Sequence, residues 1–111
     1  MKNTMEYKGY TGSVEFSEED TLLYGKVLGI RSLISYEGKS ARELVEDFHG
    51  AVDAYLAACA SDHVKPEKPF KGSFNIRIAP ELHKRLYLEA LSRNMTLNSL
   101  VQEKLSAGQQ Y

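Results

Sequence analysis

At 111 residues the chain has room for one ordinary domain or two very small ones, neither with much core to spare. A hydrophobic fraction of 42% and a charged fraction of 26% are those of a globular protein, and no apolar run approaches the ~18 residues that a membrane span needs. The net charge of -1 hides an asymmetry: residues 1–62 carry 6 Lys+Arg against 11 Asp+Glu, residues 63–111 carry 8 against 4, and the two halves should face different partners.

In chain order, Tyr7 to Ser17 reads as a strand with Tyr10, Val14 and Phe16 on one face, followed by turn-forming residues from Ser17 to Asp20. Thr21 to Ile30 and Ser32 to Glu37 read as two further strands, with Gly25, Gly29 and Gly38 marking bends or ends, so an antiparallel meander is expected. Ser40 and Glu43 have the spacing of a capping box. Behind them Ala41, Leu44, Val45, Phe48, Val52, Tyr55, Leu56 and Cys59 recur at helical spacing, with Glu46, Asp47 and Asp53 on the other side. The expected fold class is α+β: a small three-stranded sheet covered by one helix over residues 1–62.

Residues 63–71, with Pro66 and Pro69 among Lys65, Glu67, Lys68 and Lys71, read as an extended linker. In residues 72–111, Ser73-Phe74-Asn75-Ile76-Arg77-Ile78 alternates strictly between polar and apolar, as a half-buried strand does. Pro80 suits the first position of a helix that buries Leu82, Leu86, Tyr87, Ala90 and Leu91. Thr96 is a good N-cap for a shorter helix lined by Leu97, Leu100, Val101 and Leu105, and the tail from Ser106 to Tyr111 should fray.

A lone strand before two helices has no partner for its backbone, so pairing with the same strand of a second chain is expected, making an obligate homodimer. Phe74, Ile76 and Ile78 would then form the dimer core and Ser73, Asn75 and Arg77 would line the opposite face. A two-stranded ribbon fits the DNA major groove, where Arg pairs with guanine and Asn with adenine. The amides of Leu97 and Asn98 behind Thr96, together with Lys71, suit DNA phosphates.

This order of strand, proline, helix, break and capped helix resembles the ribbon-helix-helix family of DNA-binding proteins. Carried over, Ser73, Asn75 and Arg77 are the base readers and Thr96 to Asn98 the phosphate anchor. Ser73 departs from the pattern, being shorter than the Gln or Lys often found there. Together with residues 7–56, and with the GKVLGIRSLISYEG segment from Gly25 to Gly38, the whole resembles the HicB antitoxin family. That resemblance implies a partial ribonuclease-H-like fold, catalytically inert, in the first half. It also implies neutralisation of a HicA-type mRNA-cleaving toxin by steric occlusion, and repression of the operon through operator DNA. Higher oligomers would form through the N-terminal halves.

A ribonuclease holds a polyanion on a basic surface, and the acidic half has the sign to cover it. The candidate contributors are Glu15, Glu18, Glu19, Asp20, Glu37, Glu46, Asp47 and Asp53. The alternative is a stand-alone regulator whose first half binds another protein or a ligand. No enzyme, cofactor or metal site is expected: Glu15, Asp47 and Asp53 should not converge, and His49, His63 and His83 lack zinc-like spacing. Tyr7, Tyr10, Tyr24 and Tyr36 are expected to pack rather than to stack on RNA. One cysteine excludes a disulfide framework, and residues 1–10 lack the apolar core of a signal peptide, so a cytoplasmic setting is expected.

Overall fold

The computed structural model describes residues 3–109. The chain is α+β, with five short antiparallel strands followed by three helices among the described residues, and it divides into one unit up to Ser73 and a second from Phe74.

In the first unit the expected strand from Tyr7 to Ser17 is three pieces. β1 (Thr4–Tyr7) and β2 (Tyr10–Ser13) form a hairpin that pairs Thr4 with Ser13 and Tyr7 with Tyr10. Its two turn residues, Lys8 and Gly9, have φ of 51° and 83°, the double positive φ that matches the twist of a tight hairpin. The chain breaks at Val14 and resumes as β3 (Glu15–Ser17), which pairs with β4 (Leu22–Lys26), and β4 pairs in turn with β5 (Ser35–Gly38). A bridge between Gly12 and Val27 continues the β3–β4 register into β2, so the two sheets run on from one another. The turn from Ser17 to Asp20 forms as expected, with the Asp20 amide donating to Ser17 Oγ at 3.2 Å.

The helix α1 (Ala41–Ser61) starts where the sequence puts it. Ser40 Oγ accepts from the Glu43 amide at 3.1 Å, and the Glu43 carboxylate reaches back to the Lys39 amide at 3.0 Å, so two otherwise orphaned donors are satisfied. Leu44, Phe48, Val52 and Cys59 are buried, and the first three join Tyr10, Val27 and Tyr36 in the core. Ala41 and Val45, expected on the buried stripe, are exposed, because they lie at the edge of the face that meets the sheet. Phe16 is a larger correction. It pairs with Leu23 on the edge strand β3, while α1 packs on β5, β4 and β1, and its ring is left 62% exposed.

Residues 64–70 form neither helix nor strand, and they are held on the first unit by hydrogen bonds between Glu67 and Tyr10, Tyr55, Arg31 and Ser32.

In the second unit residues 74–79 are in no strand, and α2 (Pro80–Ser92) begins with Pro80 at its first position. A turn with Asn94 at φ 54° leads to α3 (Leu97–Ala107), capped by Thr96 Oγ, which accepts from the Ser99 amide at 3.0 Å. The helix runs past the expected fraying point at Ser106 as far as Ala107, with Gly108 as its cap; the rest of that expectation, Gln110 and Tyr111, lies outside the described residues. Arg93 joins the two helices, at 2.8 Å from Glu103 and 3.3 Å from Glu89, and Lys104 lies 3.3 Å from Glu89. Arg93 holds the Glu103 carboxyl below its ordinary range.

Candidate nucleic-acid interface and acidic groove

The second unit buries very little of its own apolar surface. Among the described residues only Ala90 and Leu100 are buried there, and Leu86, Met95, Leu97 and Val101 are half-buried. Phe74 is 74% exposed and Ile76 60%; Ile78, Leu82, Tyr87, Leu88, Leu91 and Leu105 are exposed as well. The expected burial of Phe74, Ile76 and Ile78 against the helices is therefore absent in the single chain, and so is the strand. The reason is the same for both: a strand takes its ladder bonds from a neighbour, and none of the described residues supplies them.

Ser73, Asn75 and Arg77 alternate with these apolar residues and are exposed too. Arg77 and Lys71 enter no ion pair among the described residues, whereas Arg93 and Lys104 are neutralised by Glu89 and Glu103. At the start of α3 the Thr96 side chain satisfies the Ser99 amide, and the amides of Leu97 and Asn98 meet no acceptor among the described residues. Two free donors at a positive helix end and an uncommitted guanidinium in the same unit are the chemical elements that an anionic backbone needs.

In the first unit the eight acidic candidates separate into groups. Asp20, Glu37 and Asp47 line one groove together with Ser17, Leu22, Tyr24 and Ser35. Asp47 is drawn there from α1, where its carboxylate accepts from the Glu37 amide at 2.8 Å and so covers an edge donor of β5. Glu18 and Glu19 belong to the same turn as Asp20, and Glu15 sits on β3 opposite Tyr24. Glu46 is exposed on α1.

Asp53 does not join them. It accepts from Lys8 Nζ at 2.8 Å and from Tyr7 Oη at 3.0 Å, and the Lys8 bond holds its carboxyl below the usual range. Tyr7 in turn stacks on His49 with ring centres 4.0 Å apart. Asp53 thus staples the hairpin to α1 and its charge is already paired. Among the described residues no three His, Cys, Asp or Glu side chains group as metal ligands would, and Cys59 is buried and free. Of the tyrosines, Tyr10 and Tyr36 are in the core, while Tyr24 looks into the acidic groove.

Leu22 and Tyr24 line the groove without being among the residues expected at a site. The signal was present in the alternation of TLLYGKV, which puts Leu22 and Tyr24 on the face opposite Leu23 and Gly25. Glu67 was not expected at a site either, because its role depends on a loop more than thirty residues earlier.

The model of the HicB family matches residues 55–105, from the last part of α1 through most of α3. No curated protein and no solved structure matches the chain.

Proposed function

We propose, from the match of residues 55–105 to the model of the HicB family, a family of toxin–antitoxin antitoxins, that this chain neutralises a HicA-type mRNA-cleaving toxin by occlusion and represses its own operon as a DNA-binding homodimer. The observation that carries the second half is the exposure of Phe74, Ile76 and Ile78 in a segment that is in neither helix nor strand and has no ladder partner among the described residues. Burying an apolar side chain of this size contributes roughly 1.5 to 3 kcal/mol, so a unit of this length gains much by covering six of them, three from each chain. Antiparallel pairing about a two-fold axis supplies the ladder bonds in the same step.

Pairing turns Ser73, Asn75 and Arg77 of both chains onto one face of a ribbon. There Arg77 would read guanine, Asn75 adenine and Ser73 either, while Lys71, Thr96 and the Leu97 and Asn98 amides would grip phosphates and set the register. Toxin inhibition needs no chemistry in this reading. Asp20, Glu37 and Asp47, with Tyr24 and Leu22 between them, make a groove of the right sign for a basic partner, and Glu15, Glu18 and Glu19 extend the charge around it. Asp53, neutralised by Lys8, contributes least.

The test is co-expression of the full chain with a tag, followed by identification of any stoichiometric partner and a gel shift on the DNA upstream of its own reading frame. A small basic ribonuclease that is released in active form and silenced on adding the chain back supports the first half, and a specific shift the second. A monomer that binds neither would overturn both.

A further inference from the structure

Glu67 has every polar atom committed to the first unit. Its amide donates to Tyr55 Oη at 2.8 Å and its carbonyl accepts from Tyr10 Oη at 2.8 Å. Its carboxylate accepts from the Arg31 amide at 2.7 Å, from the Ser32 amide at 3.0 Å and from the Ser32 hydroxyl. Two successive backbone amides converging on one carboxylate form an anion-binding concavity, here filled by a side chain of the same chain. The Ser32 hydroxyl and the Arg31 amide hold the Glu67 carboxyl below its ordinary range. Further along, the Phe70 amide donates to the Gly29 carbonyl at 3.3 Å. The Phe70 ring rests where a side chain on residue 29 would stand, since a Cβ there would lie 2.7 Å from Phe70 Cε1.

Both ends of this stretch are held in backbone conformations that L-residues seldom adopt. His63 has φ 55° and Phe70 φ 49°, and neither is glycine. Such conformations persist when the surroundings over-determine them. With Pro66 and Pro69 limiting the backbone between, the stretch is a preformed strap, not a random coil.

The geometry points to a latch: Glu67 fastens residues 64–70 to the loop at Arg31 and Ser32, and its opening converts a short tether between the two units into a long one. With the latch closed, only Lys71, Gly72 and Ser73 separate the strap from the second unit, a reach of ~10 Å. With it open, residues 65–73 become the tether, a reach of ~30 Å. The input end is the 31–34 loop, where Leu33 stands 80% exposed beside the amides that Glu67 occupies. A partner that reshapes this loop takes the anchors from Glu67 and changes the freedom of the DNA-binding unit. That consequence rests on the function proposed above; the latch itself does not.

Hydrogen exchange and small-angle scattering on the full chain test it without DNA or toxin, so it fails or stands independently of that reading. In Glu67→Ala the amides of Arg31, Ser32, Glu67 and Phe70 should exchange about tenfold faster or more, with α1 protection intact, and the maximum dimension should grow at unchanged oligomeric state. Glu67→Gln, which keeps a single acceptor oxygen, should fall between. Unchanged exchange at these four amides would overturn the latch. Loss of protection throughout α1 would also overturn it, since the strap would then be part of the core and unable to open alone.

Discussion

Tyr36 reaches across the sheet into the space that Gly12 leaves open. Its hydroxyl donates to the Ser13 carbonyl at 2.8 Å, with the Lys26 carbonyl at 3.2 Å, and so ties β2 to β4 where the ladder between them is reduced to a single bridge. A Cβ on residue 12 would lie 2.2 Å from Tyr36 Oη and 2.8 Å from Phe48 Cε1. Gly12→Ala should therefore destabilise the first unit by about 1 to 3 kcal/mol, the usual range for overpacking a filled core. Denaturant midpoints measured on the full chain, with and without the substitution, check this; an unchanged midpoint would mean that the ring moves aside freely.

The same hydroxyl makes the first unit sensitive to alkali. Burial pushes the Tyr36 phenol up to about 12, because the charged form would lose its water. The folded value lies above the unfolded value of 10.0, so the contribution is whole below pH 10 and is lost as pH rises through about 12. Urea midpoints should fall across that interval and fall less steeply in Tyr36→Phe. Some decline should remain in the variant, since burial also raises Tyr10. Identical slopes in the two proteins would remove Tyr36 as the cause.

In the proposed homodimer, which would hold two copies of the residue, Arg77→Ala should weaken binding to operator DNA by about 1 to 3 kcal/mol for each bidentate Arg–guanine pairing it removes. Its side chain is exposed in the single chain and enters no ion pair among the described residues, so folding should be unaffected. Gel shifts against the upstream DNA, beside a thermal melt of the same sample, separate the two effects. Unchanged DNA affinity would count against the ribbon as reader.

Ile76→Asp should abolish dimerisation and leave the first unit folded. In a paired ribbon it would bury a carboxylate without a partner, which costs far more than the pair of side chains contributes. Sedimentation velocity should show a monomer whose circular dichroism retains the α1 signal. A stable dimer that still binds DNA would reverse the assignment of the two faces of residues 73–78.

Much of the first unit was readable locally. The Ser40 cap, the Glu43 that backs it and the buried row of Leu44, Phe48 and Val52 depend on residues within a few turns of one another, and helical periodicity reports them directly. Pro80 and Thr96 mark the starts of α2 and α3 for the same reason. The β1–β2 hairpin was harder to read, because Lys8 adopts positive φ without being the Asn or Asp that usually announces it.

Relations between residues far apart in sequence came from the packing alone. Phe16 has the alternation of a core residue and is exposed, because burial depends on where α1 crosses the sheet. Asp47 and Asp53 look equivalent on the helix surface; one enters the acidic groove and the other is neutralised by Lys8 on the hairpin turn. Residues 64–70 carry the composition of a linker, yet they are fastened, because the loop at Arg31 and Ser32 presents two amides that no local pattern announces. Helix starts, turn sites and the apolar alternation of residues 73–78 were legible in the amino acids, each being set by neighbours along the chain. Which charges stay free and which segment is held was not, since both depend on groups that meet only when the whole unit has folded.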